Sequence, residues 1–147
     1  MTSVAASGAR SSAVALLLRV LVAAGLTVDA IIHFQLAPLY QLAQPNGVGE
    51  GNLFRIEAVS ALLAAAYVLL RGSRPAYAVA AMVALGGAAV VVLYRYVDVA
   101  AIGPIPHMYE PIWFFKKTLS AIVEAGAGVL ALLGLATTTH VRGSDPR

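Results

Sequence analysis

Residues 76–93 read AYAVAAMVALGGAAVVVL, a run of small and branched apolar side chains that contains no charged residue. A helix needs about 20 mainly apolar residues to cross the hydrocarbon of a bilayer, so this run supplies most of one crossing. Stretches of the same character recur along the chain, and the predicted spans are 13–37, 53–70, 76–97 and 112–136. The sequence therefore predicts an all-α protein, a transmembrane four-helix bundle.

The composition favours an integral membrane protein, because 60% of the residues are hydrophobic and 12% are charged. The longest connections, about 38–52 and 98–111, are too short to form cores of their own. We therefore expect residues 1–147 to form a single integral membrane domain without water-soluble catalytic machinery. The chain also has no cysteine, which excludes disulfides, thiolate metal ligands and a catalytic thiol.

The net charge of +3 does not indicate a nucleic-acid partner, because the basic residues are scattered at helix boundaries and form no basic face. Arginine occurs in the N-terminal segment, the tight second connection and the tail, whereas the centres of the other two connections have no Lys or Arg. Since basic residues favour the cytoplasmic side, both termini are expected to be cytoplasmic. The arginines behind this prediction are Arg10, Arg71, Arg74, Arg142 and Arg147.

The first span has some features of a cleaved signal peptide, because Arg10 precedes an apolar run that starts at Ala13. Arg19 interrupts that run, and the apolar stretch continues to about Ala37. We therefore interpret this span as a retained transmembrane helix.

Most of the remaining ionisable side chains gather at the opposite helix ends. An unpaired charge in the membrane costs about 2.5 to 3.5 kcal/mol, so such groups should pair and face the bundle interior or a wet cavity. The sequence thus predicts an outward-facing polar pocket. Its expected ligand-binding residues are Asp29, His33, Arg55, Glu57, Arg95, Asp98, His107 and Lys117.

Four of these residues are expected to converge on one cavity. Asp29 and His33 are four residues apart and share a helix face, and Glu57 starts the adjacent helix at a similar depth. Pro38 is expected to stop the first helix, and the prolines of residues 104–111 should hold His107 on a stiff extended segment over the opening.

The charges of this region also need counter-charges. Arg55 or Arg95 is expected to compensate Asp29 or Glu57 inside the bundle, since an isolated ion there is costly. Arg95 and Asp98, three residues apart, are alternatively a surface ion pair. Trp113, Tyr94 and Lys116 have the positions of ordinary interfacial anchors.

Glu124 is the deepest acid of the sequence and is predicted to be buried. Two interpretations remain open. Its carboxyl stays protonated and hydrogen-bonds a neighbouring helix, or it pairs with Arg19 or Arg55.

A metal site is not expected. Asp29 and His33 with Glu57 and His107 would make a mixed carboxylate and imidazole set, but no local signature such as HExxH is present. Haem ligation by His33 and His107 is favoured still less, because a proline-rich loop positions a ligand poorly. The cofactor stays unknown, with quinone or haem as the possibilities.

Several local features together resemble a known family. Leu18-Arg19 opens the first helix, Glu57 lies early in the second, and Arg71-Gly72-Ser73-Arg74-Pro75 forms a tight turn before the third. The fourth span has an amphipathic end. Together, the order of these features along the chain resembles that of the DoxX-like small membrane proteins over about residues 16–135. The resemblance implies a four-helix bundle associated with quinone-dependent oxidoreductase systems.

We interpret the chain as a multi-pass protein of a bacterial inner membrane, an accessory or ligand-binding subunit. Its expected partners are the lipid bilayer, a membrane protein or a second copy, and a lipid-soluble small molecule. One alternative is a quinone- or lipid-linked oxidoreductase subunit in which His33 or Glu57 exchanges protons. Another is a small transporter, although the two halves of the chain do not visibly repeat. The sequence leaves open whether the protein is an enzyme.

Overall fold

A computed structural model describes residues 2–43 and 48–140, and these form four helices without a regular strand. The helices are α1 (Thr2–Ala43), α2 (Glu50–Arg71), α3 (Arg74–Tyr96) and α4 (Phe115–His140). Each helix contains a segment that is long and apolar enough to cross a membrane. The predicted all-α class is confirmed, with four helices that are long and apolar enough to cross a membrane. Arg142 and Arg147 lie outside the described residues.

The first helix does not stop at Pro38, so the predicted end at residue 37 is wrong. Pro38 lies inside α1, which continues to Ala43. A proline removes one backbone hydrogen bond, but helices in membranes tolerate this where neighbouring structure supports the chain. Here the extension packs tightly on α2, because a side chain at the buried Gly51 would collide with backbone atoms of Ala37 and Gln41.

The starts of α2 and α4 also differ from the predicted spans. α2 begins at Glu50, before the predicted residue 53, and α4 begins at Phe115, after the predicted residue 112. Both shifts concern polar or proline-flanked residues at the membrane boundary, where hydropathy gives no sharp limit.

The helices form a ring in which α1 packs on α2 and α4, and α3 packs on the same two helices. Neighbours are antiparallel, and the α2–α3 connection consists of Gly72 and Ser73 alone. Gly72 adopts a left-handed conformation with φ of 50°, and its N–H donates to the carbonyl of Val68 at 2.8 Å. Pro75 follows in the first turn of α3, as the Arg-Gly-x-Arg-Pro sequence predicts. We call this end of the bundle the turn end and the opposite one the loop end.

The apolar core fills the turn half of the bundle and consists mainly of alanine. Small side chains let membrane helices approach closely, and van der Waals packing then stabilises them. The alanines of α2 and α3 in this core are Ala58, Ala61, Ala64, Ala65, Ala76, Ala80, Ala81 and Ala84. Large residues such as Leu63, Leu70 and Met82 face outward, where lipid would cover them. The turn half is therefore closely packed and apolar.

The connection from α3 to α4 folds back as a small hairpin over the loop end. Val99 pairs with Met108 and Ile102 with Ile105 in antiparallel bridges. The predicted extended segment is therefore wrong, because a turn with Gly103 at φ of 58° reverses the chain. The N–H of Glu110 donates to the carbonyl of Tyr94 at 2.9 Å, which ties the hairpin to the end of α3.

The close packing of the turn half can be tested with a matched pair of α4 substitutions. A methyl group at Gly134 would collide with the buried ring of Tyr77, whereas one at the exposed Gly126 meets nothing within 4 Å. We expect Gly134→Ala to lower the free energy of unfolding by about 1 to 3 kcal/mol through overpacking. Gly126→Ala should leave it unchanged or raise it, because alanine favours helix. Equal midpoints of thermal unfolding in detergent for both variants would contradict this packing.

Candidate functional site

A cavity of about 340 Å³ lies in the loop half, bordered by all four helices and the α3–α4 hairpin. Its size falls in the range of small-molecule pockets, roughly 300 to 1,000 Å³. Its walls are mainly apolar and are formed by Leu36, Leu53, Phe54, Ile56, Val90, Val91, Ile105, Met108 and Phe114. Polar side chains occur at its two ends.

The inner end of the cavity adjoins a group of polar side chains, buried except for the half-buried Glu57, that we call the acid cluster: Asp29, His33, Glu57, Ser120 and Glu124. His33, Glu57 and Ser120 line the cavity itself. Asp29 lies behind them, with its Oδ1 atom 3.0 Å from His33 Nδ1. Ser120 Oγ donates a hydrogen bond of 2.6 Å to the same Asp29 oxygen, and thereby joins α4 to α1.

A glycine of α3 makes room for the two glutamates of this cluster. A Cβ atom on Gly87 would lie 2.5 Å from Glu124 Oε1 and 3.2 Å from Glu57 Oε1. Both carboxyl groups therefore reach the α3 backbone at one level, roughly 14 Å along the helix from Tyr96 at 1.5 Å per residue. The adjacent Gly86 lines the cavity, and a Cβ there would meet nothing within 4 Å.

The acid cluster has more carboxyl oxygens than donors. Asp29 and Glu124 are 1% and 0% exposed, and Asp29 Oδ2, Glu57 Oε1 and both Glu124 oxygens are shielded from solvent. The Glu124 carboxyl faces the Asp29 carboxyl and the Ser120 hydroxyl, which already donates to Asp29. No Lys or Arg of the described chain forms a salt bridge with them. Because a buried charge needs a partner, the carboxyl groups of the acid cluster require bound protons or a cation.

The mouth of the cavity carries a second polar group, centred on Glu110. The hydroxyl of Tyr40 donates to Glu110 Oε2 at 3.1 Å, and Lys117 Nζ donates to the Glu110 carbonyl. Tyr40 packs on Phe54 with ring centroids 4.5 Å apart, and Lys117 Nζ lies 5.4 Å from the Trp113 ring. The cavity is therefore polar at both ends and apolar between them.

The structure brings together only part of the predicted pocket. His33, Glu57 and Lys117 line the cavity, and Asp29 and Glu124 adjoin its inner end. Tyr94, expected to be an interfacial anchor, lines the cavity as well.

Arg55 and Arg95 do not compensate the acids, so that prediction is wrong. Arg55 is exposed and donates to Asn52 Oδ1 at 2.5 Å on its own helix. Residues two apart on a helix lie on nearly opposite faces, so Arg55 points outward where Glu57 points inward. Arg95 instead lies over the Tyr96 ring, 5.0 Å from its centroid.

His107 and Asp98 bond to each other outside the cavity, with side chains 49% and 66% exposed. The expectation that His107 covers the cavity is therefore wrong, as is the Arg95–Asp98 ion pair. The physical reason is the hairpin, whose antiparallel pairing brings residue 107 back beside residue 98.

The proposed pairing of Glu124 with an arginine is also wrong. Arg19 packs against Gly72 at the turn end, far from the level of Asp29 and Glu124. Glu124 instead lies beside Asp29 and His33. Each of the three side chains has one potential metal-ligating atom within 4.8 Å of those of the other two.

Sequence reasoning overlooked Ser120 and Gly87. The spacing of Ser120 and Glu124, four residues apart on one helix face, was a usable signal. Gly87 had no such signal, because Gly86-Gly87 is equally well explained by close helix packing.

Comparison of the chain with protein-family models, curated proteins and solved structures gives no match. The function is therefore inferred from the geometry of the site.

The hydrogen bond between α4 and Asp29 can be tested with two serines. Ser120→Ala removes the only donor to Asp29 Oδ1 from α4 within the described residues, and we expect a loss of about 1 to 2 kcal/mol in stability. Ser60 donates to the carbonyl of Ile56 on its own helix and serves as the matched control. Thermal unfolding in detergent should show a lower midpoint for Ser120→Ala alone. A comparable fall in the unfolding midpoint of Ser60→Ala would show that the hydrogen bond between α1 and α4 has no specific effect on stability.

Proposed function

We propose that this multi-pass membrane protein binds a small amphiphilic molecule in the loop-half cavity, as an accessory or ligand-binding subunit of a membrane system. The observation that carries the proposal is the distribution of polarity along the cavity. Apolar walls separate polar groups at the inner end from polar groups at the mouth. Such a cavity favours a ligand with an apolar body and hydrogen-bonding groups.

Different residues of the cavity would contact different parts of the ligand. Leu36, Phe54 and Val90 would contact the apolar body of the ligand. His33 and Ser120 at the inner end offer hydrogen bonds to a polar group, and Lys117 offers a cation at the mouth. The bias toward acids disfavours a strongly anionic ligand, because a buried carboxyl repels it.

A quinone-linked oxidoreductase subunit is the second candidate, and one feature favours it. A quinone carries oxygens on opposite sides of an apolar ring, and the cavity places possible donors at opposite ends, His33 inside and Lys117 at the mouth. His33 or Glu57 would exchange the protons of quinone reduction, and a partner protein would supply the electrons. The DoxX-like resemblance of the sequence points to the same association.

A transporter would need a second opening toward the turn end. In the described conformation the alanine-rich core, with Ala61, Ala80 and Ala84 at 0 to 1% exposure, fills that half. The binding proposal is therefore preferred to transport.

The membrane placement belongs to the proposal as well. Arg71 and Arg74 lie at the turn end, which favours a cytoplasmic turn end in a bacterial inner membrane. Both termini would then be cytoplasmic, and the cavity would lie in the outer half of the bilayer.

Filling the cavity should abolish binding without unfolding the protein. Gly86→Leu adds a side chain at an exposed residue that lines the cavity, and Gly126→Leu adds the same side chain at an exposed residue of α4 that does not, each where a Cβ meets nothing within 4 Å. Wild type and Gly126→Leu should retain a bound small molecule through gentle detergent purification, and Gly86→Leu should lose it. Lipid extraction followed by mass spectrometry measures this difference. Identical extracts from all proteins would contradict the proposal.

The quinone candidate has its own readout, because Trp113 is the chain's only tryptophan and lies beside the cavity mouth. Added decylubiquinone should quench its fluorescence saturably. We expect Gly86→Leu to weaken this quenching at least about tenfold, a loss of ~1.4 kcal/mol, and Gly126→Leu to leave it unchanged. Quenching that grows linearly and equally in all proteins would reflect partitioning into detergent and would reject quinone binding at this site.

Orientation can be measured by cysteine labelling, because the chain has no cysteine. Single variants His107→Cys and Ser73→Cys place one thiol at each end of the bundle. A membrane-impermeant maleimide added to intact spheroplasts should label His107→Cys, and should label Ser73→Cys only after permeabilisation. The reverse pattern would place the cavity on the cytoplasmic side.

A further inference from the structure

Three potential metal ligands converge in the acid cluster from two helices. Asp29 and His33 of α1 and Glu124 of α4 each present one ligand atom, and these atoms lie within 4.8 Å of one another. All three side chains are buried, with exposures of 1%, 7% and 0%. The inner end of the cavity borders this group through His33 and Ser120.

The carboxyl oxygens of this group face one another with few donors between them. Asp29 Oδ2 and both oxygens of Glu124 are shielded from solvent, and the Glu124 carboxyl faces the Asp29 carboxyl and Ser120. Two buried carboxyl groups in contact need a shared proton or a bound cation. Glu57 adds another unbonded oxygen at the same level, against the backbone of Gly87. The basic residues expected to neutralise these acids lie elsewhere, as described for Arg19, Arg55 and Arg95. A cation bound among Asp29, His33 and Glu124 would balance the charge of the Asp29 and Glu124 carboxyls.

The donor chemistry indicates which cation. Carboxylate oxygens and one imidazole nitrogen bind divalent first-row transition metals at about 2.0 to 2.2 Å. Ligand atoms of a tetrahedral site at that distance are roughly 3.4 Å apart. His33 Nδ1 and Asp29 Oδ1, 3.0 Å apart, are joined by a hydrogen bond, and an ion bound by Nδ1 would replace the proton of that bond. Glu124 has the longest side chain of the three, and its ligand atom already lies within 4.8 Å of those of Asp29 and His33.

We propose that Asp29, His33 and Glu124 form a binding site for a divalent transition-metal ion such as Zn²⁺, Mn²⁺ or Fe²⁺. Neighbouring residues support the site. Ser120 orients the Asp29 carboxyl through its 2.6 Å hydrogen bond, the usual role of a residue behind a metal ligand. Gly87 leaves the space that the Glu124 carboxyl occupies.

The proposed site differs from the metal set considered from the sequence, because Glu124 of α4 replaces His107. Three protein ligands leave a coordination position open, as in catalytic rather than structural metal sites. Since His33 borders the cavity, a cavity ligand lies within reach of the ion. The inference does not depend on the proposed function, because the cluster binds the ion whether or not the cavity is filled.

Metal binding can be measured on the full-length protein in detergent. After treatment with a chelator, the wild type should bind Co²⁺ at one equivalent per chain, with visible absorption bands that Zn²⁺ abolishes by competition. Asp29→Asn and Glu124→Gln keep side-chain shape but remove a ligand charge, and each should weaken binding by at least about 100-fold. His107→Ala removes the exposed His107–Asp98 pair and should leave binding unchanged.

Thermal unfolding provides a second measurement that does not require a spectrum. Zn²⁺ should raise the unfolding midpoint of the wild type and of His107→Ala, and should leave Asp29→Asn and Glu124→Gln unchanged. Gly86→Leu should still bind the metal, which separates this inference from the cavity proposal. The proposal is overturned if wild type binds no Co²⁺ saturably, if folded Asp29→Asn and Glu124→Gln bind as well as wild type, or if His107→Ala alone loses binding. The first result would leave protons as the partners of the buried carboxyls.

Discussion

A carboxyl group in hydrocarbon needs a proton, a cation or hydrogen-bond donors, and this bundle places three of them at one level, on the buried Asp29 and Glu124 and the half-buried Glu57. The surrounding structure follows from that constraint. Gly87 gives the glutamates access to the bundle interior, and Ser120 supplies a donor to Asp29. The donors are still too few for the acceptors, so the cluster attracts a positively charged or proton-donating partner.

The two halves of the bundle have different physical roles. In the turn half, alanine side chains let the helices approach closely, and the Gly72–Ser73 connection fixes α2 and α3 as antiparallel neighbours. In the loop half, larger side chains and polar groups keep the helices apart and enclose the cavity. The closely packed half fixes the relative positions of the helices that enclose the cavity. Such preorganisation lowers the free-energy cost of binding.

The segments outside the predicted spans complete the cavity. Because α1 continues beyond Pro38, Tyr40 reaches Glu110 of the α3–α4 hairpin. Met108, buried at 5% exposure, lines the cavity from that hairpin. The mouth therefore depends on contacts between connections that are distant in sequence. The separate polar groups at the mouth and at the inner end fit a ligand that is bound at both of its ends. A metal ion at the inner end would make the bound end of that ligand chemically reactive.

The sequence by itself determined the class of the fold, the number of membrane-crossing helices and the tight turn at Gly72. These features are local, because hydropathy and the conformational preferences of glycine and proline act within a few residues. It also indicated that Asp29, His33 and Glu57 belong together, since helical spacing and similar depth are visible in the chain. Only the tertiary structure decided the partners of these residues. Ser120 and Glu124 come from the opposite end of the chain, Arg55 turns to the outer face of α2, and a hairpin takes His107 to Asp98. Those outcomes depend on the rotation of each helix about its axis and on the path of the connections, and both are set by side-chain packing between helices, which no single segment specifies.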